Sequence, residues 1–168
     1  MDNYTEQILP SKPTVKDYIL YLIAILLTVT GAFFMIFISM IIGVIIIALG
    51  SVAIYFSKNI MDYEYEYIFT NGDLDVAKII AKTSRKNVFT VREDEIIRIL
   101  PYNSDKFRNE LEINDKMVIR DYTSKEQDNS DNWFAFISNN KNNITVILEL
   151  NDKNQEYIKK IYKNKIEK

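Results

Sequence analysis

The feature that most constrains this chain is an uncharged run of 40 residues. From Tyr18 to Ser57 there is no Asp, Glu, Lys or Arg, although 26% of the whole chain is charged. As one helix the run would be about 60 Å long, twice the roughly 30 Å hydrocarbon core of a membrane. It is also far longer than the apolar stretch of a signal peptide, which is about 7–15 residues. The run therefore predicts two membrane-spanning helices joined by a tight turn.

Aromatic residues indicate where these helices begin and end, because aromatic side chains favour membrane–water interfaces. Tyr18 opens the run, Tyr55 lies near its end, and three Phe residues lie near its middle. This pattern predicts helices at about 16–35 and 39–58, with the turn at the opposite membrane surface.

Small residues recur with helical spacing in both predicted helices, every fourth position in the first and every seventh in the second. Small faces let two membrane helices approach closely. The alternative is that such residues are simply common in membrane helices. The predicted packing residues are Ala24, Thr28, Ala32, Gly43, Gly50 and Ser57.

Basic residues flank the uncharged run at one end of each predicted helix. Lys12 and Lys16 precede the first helix, and Lys58 follows the second. Because basic residues favour the cytoplasmic side, we expect a multi-pass protein of the cell membrane with both termini cytoplasmic. A transporter is disfavoured because the run lacks the charged side chains that ion and proton pathways use.

Composition also disfavours several kinds of function. The chain has no Cys and no His, which argues against thiolate nucleophiles, His-based catalysis and ordinary zinc sites. The net charge of −2 does not resemble that of a nucleic-acid-binding domain. We therefore predict no catalytic residues, no metal, no cofactor and no nucleic-acid partner.

After Lys58 the apolar period changes from helical to alternating, which predicts a β domain over 63–168. Asn71-Gly72 is typical of a type I′ hairpin turn. Seven strands are predicted, followed by a helix that Asn151 or Asp152 caps. The region 102–116 reads as irregular. The predicted strands are YEYEYIFT, LDVAKII, VFTV, EIIRIL, MVIRDYT, NWFAFIS and NITVILEL.

The order of these elements resembles a pleckstrin-homology (PH) domain, which implies a seven-stranded antiparallel barrel or sandwich with a C-terminal helix. YEYEYIFTNGDLDVAKIIAKTSRK, EIIRILP and VIRDYTS, behind a two-helix membrane hairpin, resemble a bacterial family of small membrane proteins of unknown function. The resemblance spans nearly the whole chain and implies no catalytic or ligand residues. It leaves residues 1–15 as a cytoplasmic N-terminal segment.

Five basic residues concentrate around the turn predicted between the second and third strands. Such a cluster near a membrane can attract anionic headgroups at up to about 1 kcal/mol per charge. The alternative is a solvated turn. In PH domains that bind inositol lipids the basic cluster surrounds the first hairpin, so this position argues against that specificity. The candidate lipid- or partner-contact residues are Lys78, Lys82, Arg85, Lys86 and Arg92.

These patterns predict a non-catalytic, membrane-anchored binding or scaffolding module. Its partner would be another protein or a second copy of the chain, in addition to the lipid bilayer. The alternative is a sensor of anionic lipid surfaces that uses the basic residues at 78–92. An enzyme that relies on carboxylates and hydroxyls is a more distant alternative.

Overall fold

The computed structural model describes residues 3–114, 117–125, 127–139 and 143–167. They divide into two compact units. One contains residues 11–63 and 80–83, and the other contains the remaining described residues. The helices are α1 (Val15–Phe37), α2 (Met40–Met61), α3 (Asp105–Ile113) and α4 (Asp152–Ile161). The strands are β1 (Tyr4–Pro10), β2 (Tyr63–Thr70), β3 (Asp73–Ile80), β4 (Ser84–Val91), β5 (Ile96–Pro101), β6 (Val118–Asp121), β7 (Trp133–Ser138) and β8 (Ile144–Glu149).

The first unit is a helical hairpin. α1 and α2 are separated by Ile38 and Ser39, whose backbone N–H groups both donate to the carbonyl of Phe34. Both helices are long and apolar enough to cross a membrane. Most of their large apolar side chains are exposed, as is typical of lipid-facing helices and unlike the core helices of a soluble protein. The hairpin turn lies where the aromatic pattern predicts it.

The β unit contains two four-stranded sheets. Sheet A has the order β1-β2-β3-β4, and sheet B has the order β5-β7-β8-β6. Residues Asn71 and Gly72 connect β2 to β3 with φ angles of 52° and 95°, as a type I′ turn requires. The predicted hairpin is therefore confirmed.

The core of the β unit lies between the sheets and under α4. Alternating residues of β2, such as Tyr67 and Phe69, are fully buried, and Phe69 contacts Phe136 of β7 at 6.1 Å between ring centroids. α4 adds Ile158, and Tyr162 follows it at the helix end. The Asn151 side chain caps α4 by accepting a hydrogen bond from the Asn154 N–H at 2.9 Å. The predicted C-terminal helix and its cap are confirmed.

β7 is buried on both faces. On one face Trp133 and Ala135 pack with Phe107 of α3, in the cluster that covers the outside of sheet B. On the other face Phe136 packs against sheet A and α4. α3 thus gives sheet B a second covered face, and the prediction of an irregular stretch over 102–116 was wrong for residues 105–113.

The prediction of a seven-stranded antiparallel barrel or sandwich needs three corrections. The two sheets are separate, so the β unit is not a closed barrel. The described residues contain eight strands, because β1 adds to the seven that the sequence pattern indicated. β6 runs parallel to β8, with Val118 opposite Ile144 and Asp121 opposite Ile147. A parallel pairing needs a long connection, and the segment between β6 and β8, which contains β7, supplies it.

The apolar pattern of the sequence does not predict β1, because the buried residues of this strand are polar. Thr5 and Gln7 point inward, whereas Tyr4 and Ile8 are exposed, so the apolar pattern marks the wrong face. Its partner is β2, with Tyr4 opposite Thr70 and Pro10 opposite Glu64. Residues 4–10 therefore belong to the β unit, although the chain passes through both helices before it returns as β2.

Candidate membrane-contact site

Glycines let the two helices of the hairpin make backbone contact. A β-carbon added to Gly43 would lie 2.4 Å from the backbone of Met35, and one added to Gly50 would lie 2.3 Å from Thr28 Oγ1. Gly31 makes a similar approach to Ile47 from the other helix. Any larger side chain at these positions would push the helices apart.

Of the six predicted packing residues, Thr28, Gly43 and Gly50 take part in these close contacts. Ala24, Gly43, Gly50 and Ser57 are buried, while Thr28 and Ala32 are half-buried. Gly31 was not among them. Its signal was available, because Ala24 and Gly31 are seven residues apart, the same spacing that relates the small residues of α2.

Three hydroxyl side chains within the helices bond to the backbone of their own helix. Thr28, Thr30 and Ser51 each donate to the backbone carbonyl four residues earlier, at 3.0, 2.8 and 2.8 Å respectively. Inside a bilayer an unsatisfied hydroxyl is costly, so these bonds fit helices that lie in lipid.

The segment that leads into α1 and the segment that follows α2 lie side by side. The backbone N–H of Ser11 donates to the carbonyl of Tyr63 at 3.1 Å. At the start of α1, Asp17 Oδ2 accepts hydrogen bonds from the Thr14 backbone N–H at 2.7 Å and from its hydroxyl at 2.6 Å. The Ser11–Tyr63 bond joins the segment that enters α1 to the segment that leaves α2, whereas the Thr14–Asp17 bonds cap the start of α1.

A β-turn at residues 80–83 belongs to the same compact unit as the helices. The backbone N–H of Ala81 donates to the carbonyl of Asp62, the residue that follows α2, at 2.8 Å. Ala81 and Lys82 both have positive φ, at 49° and 56°, which is costly for residues with a β-carbon. The bond to Asp62 puts the turn, with its exposed residue Lys82, next to the end of α2.

The five candidate basic residues do not form one cluster. Lys82 lies in the turn, Arg85 and Lys86 lie at the start of β4, and Arg92 follows the far end of that strand. An eight-residue strand is about 25 Å long, so Arg92 is remote from the turn. Lys78 is half-buried on β3. The region 78–92 is therefore two strands and a tight turn, and the residues SRKN, predicted as part of the turn, begin β4.

Two of these cations are held by carboxylates of the β unit. Arg85 forms an ion pair with Glu66, whose side chain is only 11% exposed. Arg92 lies 3.6 Å from Asp94 and 3.8 Å from Glu95. Within the described part of the chain, Lys82 and Lys86 have no carboxylate within 4.0 Å. These two lysines are the basic residues best placed for an outside partner.

No catalytic constellation stands out in the part of the chain that the structure describes. There it holds no group of three or more His, Cys, Asp or Glu side chains arranged to bind a metal ion. The clearest pKa shifts belong to buried tyrosines: burial raises the pKa of Tyr67 and of Tyr162. Their hydroxyls donate to the carbonyls of Tyr122 and Gly72, which is a structural role.

Two packed four-stranded sheets, a C-terminal helix and a pair of apolar helices define the class: a PH-like domain with a candidate membrane anchor. The chain belongs to the family described as Bacterial PH-like domain (DUF6106), whose family model matches residues 1–168. None of the curated proteins compared with the chain matches it significantly, and none of the solved structures does.

Proposed function

We propose that this chain is a membrane-anchored binding module that presents its PH-like domain at the cytoplasmic surface of the cell membrane. The observation that carries the proposal is the pairing of β1 with β2. These adjacent strands lead into α1 and out of α2, so the helices form an insertion between two neighbouring strands. Two connections restrain a domain more than a single tether does.

The cytoplasmic side follows from the basic residues at the ends of the helices. Lys12, Lys16 and Lys58 lie at the end of the hairpin where the chain enters and leaves, and the turn at Ile38 and Ser39 has no basic residue. The positive-inside bias therefore favours cytoplasmic termini.

Cysteine accessibility tests this topology directly, because the natural chain has no Cys. Single cysteines at Asn3 and Asn164 are expected to resist a membrane-impermeant thiol reagent in intact cells, whereas one at Ile38 is expected to react. The termini should become reactive once the cells are permeabilised. Labelling of the termini but not of Ile38 in intact cells would reverse the proposed orientation.

We propose further that the module acts by binding a protein partner or a second copy of itself, without catalysis. The exposed outer strands β1 and β6 favour this, since they end their sheets and carry the exposed residues Ile8 and Ile119. Such edges can accept an added strand from a partner.

Site-specific photo-crosslinking tests the binding function. A photoreactive amino acid at Ile8 or at Ile119 is expected to give an adduct of discrete mass in cells. The control position is Lys153, an exposed residue on α4. Absence of a discrete adduct from both strands, or equal adducts from Lys153, would contradict a binding role for these edges.

Contact with anionic lipid headgroups is a second candidate function, and the position of the turn at 80–83 favours it. A fluorophore on Thr83→Cys, with the full chain in bilayers, reports how near the turn lies to quencher-labelled lipids. Quenching is expected to increase when phosphatidylglycerol is added to phosphatidylcholine. Lys82→Glu with Lys86→Glu should remove the increase, whereas Lys153→Glu should not. Quenching that does not respond to phosphatidylglycerol would eliminate this candidate.

A further inference from the structure

A cavity of about 210 Å³ lies within the β unit, between α3 and the outer face of sheet B. Its lining combines apolar side chains with an Arg, a Glu and a buried hydroxyl. The volume corresponds to about seven water molecules in the liquid. The residues that matter to its chemistry are Ile97, Arg98, Glu110, Met117, Ile137 and Thr145.

A β-bulge shapes the cavity wall. Ile96 pairs with Ser138 and Arg98 with Ile137, which leaves Ile97 as an extra residue in β5. In a regular strand the side chains of Ile97 and Arg98 would point to opposite faces, but here both line the cavity. Bulges commonly redirect side chains next to binding sites.

The floor of the cavity carries an unused hydrogen-bonding group. Thr145 lies directly opposite Ile137, in the same row of the sheet as Arg98, and is 1% exposed. Its hydroxyl has no hydrogen-bond partner among the described residues. Buried hydroxyls are nearly always satisfied, so this one indicates a place for a polar atom that is not part of the chain.

Opposite charges flank the same cavity. Arg98 Nη1 lies 3.4 Å from Glu110 Oε2, and Glu110 Oε1 accepts a hydrogen bond from Asn114 at 3.1 Å. The guanidinium has five N–H donors, so this contact leaves most of them for a ligand. A lone anion would be repelled by Glu110 and a lone cation by Arg98. A ligand with both charges satisfies both residues.

We propose that this cavity binds a small aliphatic zwitterion of the free amino-acid class. Its carboxylate would bind Arg98 and the Thr145 hydroxyl, and its ammonium would bind Glu110. Its aliphatic part would pack against Ile97, Met117 and Ile137. This site goes beyond the proposed anchoring and partner-binding function and does not depend on it, because the cavity lies wholly inside the β unit.

The test uses the full chain in detergent and leucine as the probe, followed by titration calorimetry. Leucine is expected to bind saturably with a Kd of about 1 mM or below. Two matched probes keep the carbon skeleton and remove one charge each: 4-methylpentanoate lacks the ammonium, and 3-methylbutylamine lacks the carboxylate. Each is expected to bind at least about tenfold more weakly than leucine.

Substitutions of the three polar cavity residues Arg98, Glu110 and Thr145 test whether their side chains bind leucine. Arg98→Gln and Glu110→Gln should each weaken leucine binding about tenfold or more. Thr145→Val should weaken it while leaving the Tm unchanged or higher, since that hydroxyl loses no bond within the chain. Arg108→Gln, which changes an exposed arginine of α3 that does not line the cavity, is the control and should bind as the parent does.

Three results would overturn the proposal. One is no saturation by leucine up to about 10 mM. Another is equal binding of leucine and the two single-charge probes. The third is parental affinity in the Arg98 and Glu110 variants. The comparison of probes needs only the natural chain, so it stands even where a variant does not fold.

Discussion

At Gly72 both the backbone conformation and the surrounding atoms demand the absence of a side chain. Its φ is 95°, and a β-carbon there would lie 2.8 Å from Cγ of Glu93. The end of the Glu93 side chain is flexible and can move, so the backbone strain is the larger penalty. The turn is also tied to the C-terminal helix, because the Gly72 N–H donates to Tyr157 Oη at 3.0 Å and the Tyr162 hydroxyl donates to the Gly72 carbonyl.

Gly72→Val is therefore expected to destabilise the chain by about 1–3 kcal/mol, the strain of a β-branched residue at positive φ. Asn71→Asp is the matched control and should be nearly neutral, since the Asn71 Oδ1 that accepts from Asn3 N–H at 3.1 Å is retained. Unfolding of the full chain in detergent, followed by Trp133 fluorescence, measures both. Parental stability for Gly72→Val would show that the turn is not strained.

Buried tyrosines give the stability a defined pH dependence. The ordinary Tyr pKa is 10.0, and burial raises the pKa of Tyr162 and that of Tyr67 above it. Below about pH 10 these tyrosines are neutral in both states. Above it they ionise in the unfolded chain first, so stability falls as the pH rises, by up to about 1.4 kcal/mol per pH unit for each tyrosine.

Tyr162→Phe isolates this effect. At pH 8 the variant should be less stable than the parent by about 1 kcal/mol, because it loses the bond to the Gly72 carbonyl. Between pH 10 and 11 the difference should shrink, since only the parent pays the ionisation cost at that site. Unfolding at pH 6, 8 and 11 measures the difference. A difference that stays constant over this range would contradict the pKa shift.

At the scale of elements, the stability of the helical hairpin depends on close contact between the two helix backbones. It does not depend on large side chains packed between them. Lipid tails are as apolar as Leu side chains, so burial alone does not hold two membrane helices together. Gly31, Gly43 and Gly50 bring the two backbones close enough for dense packing. A large side chain on this face is therefore more harmful than one on the lipid face.

Gly50→Leu is expected to destabilise the hairpin by at least about 1–2 kcal/mol, because the new side chain would overlap Thr28. Ala48→Leu is the control, as Ala48 is exposed. Thermal unfolding of the two variants in detergent gives the comparison. Equal Tm values would mean that the seven-residue spacing of small residues has no role in packing.

At the scale of the whole molecule, the β unit is assembled from residues that precede the helical hairpin in the sequence and residues that follow it. A buried polar network joins β1 to the C-terminal part: Thr5 Oγ1 donates to Asn154 Oδ1 at 2.7 Å, and Asn154 Nδ2 donates to Gln7 Oε1 at 2.9 Å. Gln7 Nε2 also donates to the Glu149 carbonyl at 2.8 Å. Without β1, the side chain of Asn154 and the backbone carbonyl of Glu149 would lose these hydrogen-bond partners.

A chain that begins at residue 62 should therefore be less stable than one in which residues 3–11 are joined to residue 62 by a short Asn-Gly linker. The bond from Ser11 N to Tyr63 O shows that these ends are adjacent. At about 1 kcal/mol per hydrogen bond, the three network bonds alone predict a difference of about 3 kcal/mol. Urea unfolding followed by Trp133 fluorescence measures it. Equal midpoints for the two chains would show that β1 is dispensable.

Local sequence signals are enough to predict several elements of this fold. The uncharged run specifies two helices, Asn71-Gly72 specifies the first hairpin turn, and Asn151 specifies the start of α4, because charge, φ preference and capping act within a few residues. α3 also has local signals in the sequence: Ser104 caps it, and Phe107 and Leu111 are one turn apart.

The way these elements combine depends on contacts between residues far apart in the sequence. β1 buries Thr5 and Gln7, and no local pattern shows that their partners lie more than 140 residues away. Three other features also depend on strands brought together from separate parts of the chain. They are the parallel pairing of β6 with β8, the ion pair between Arg85 and Glu66, and the cavity beside Thr145. Polar groups reveal their partners only when the fold places them within hydrogen-bonding distance, so the pair of apolar helices was predictable and the proposed binding surfaces were not.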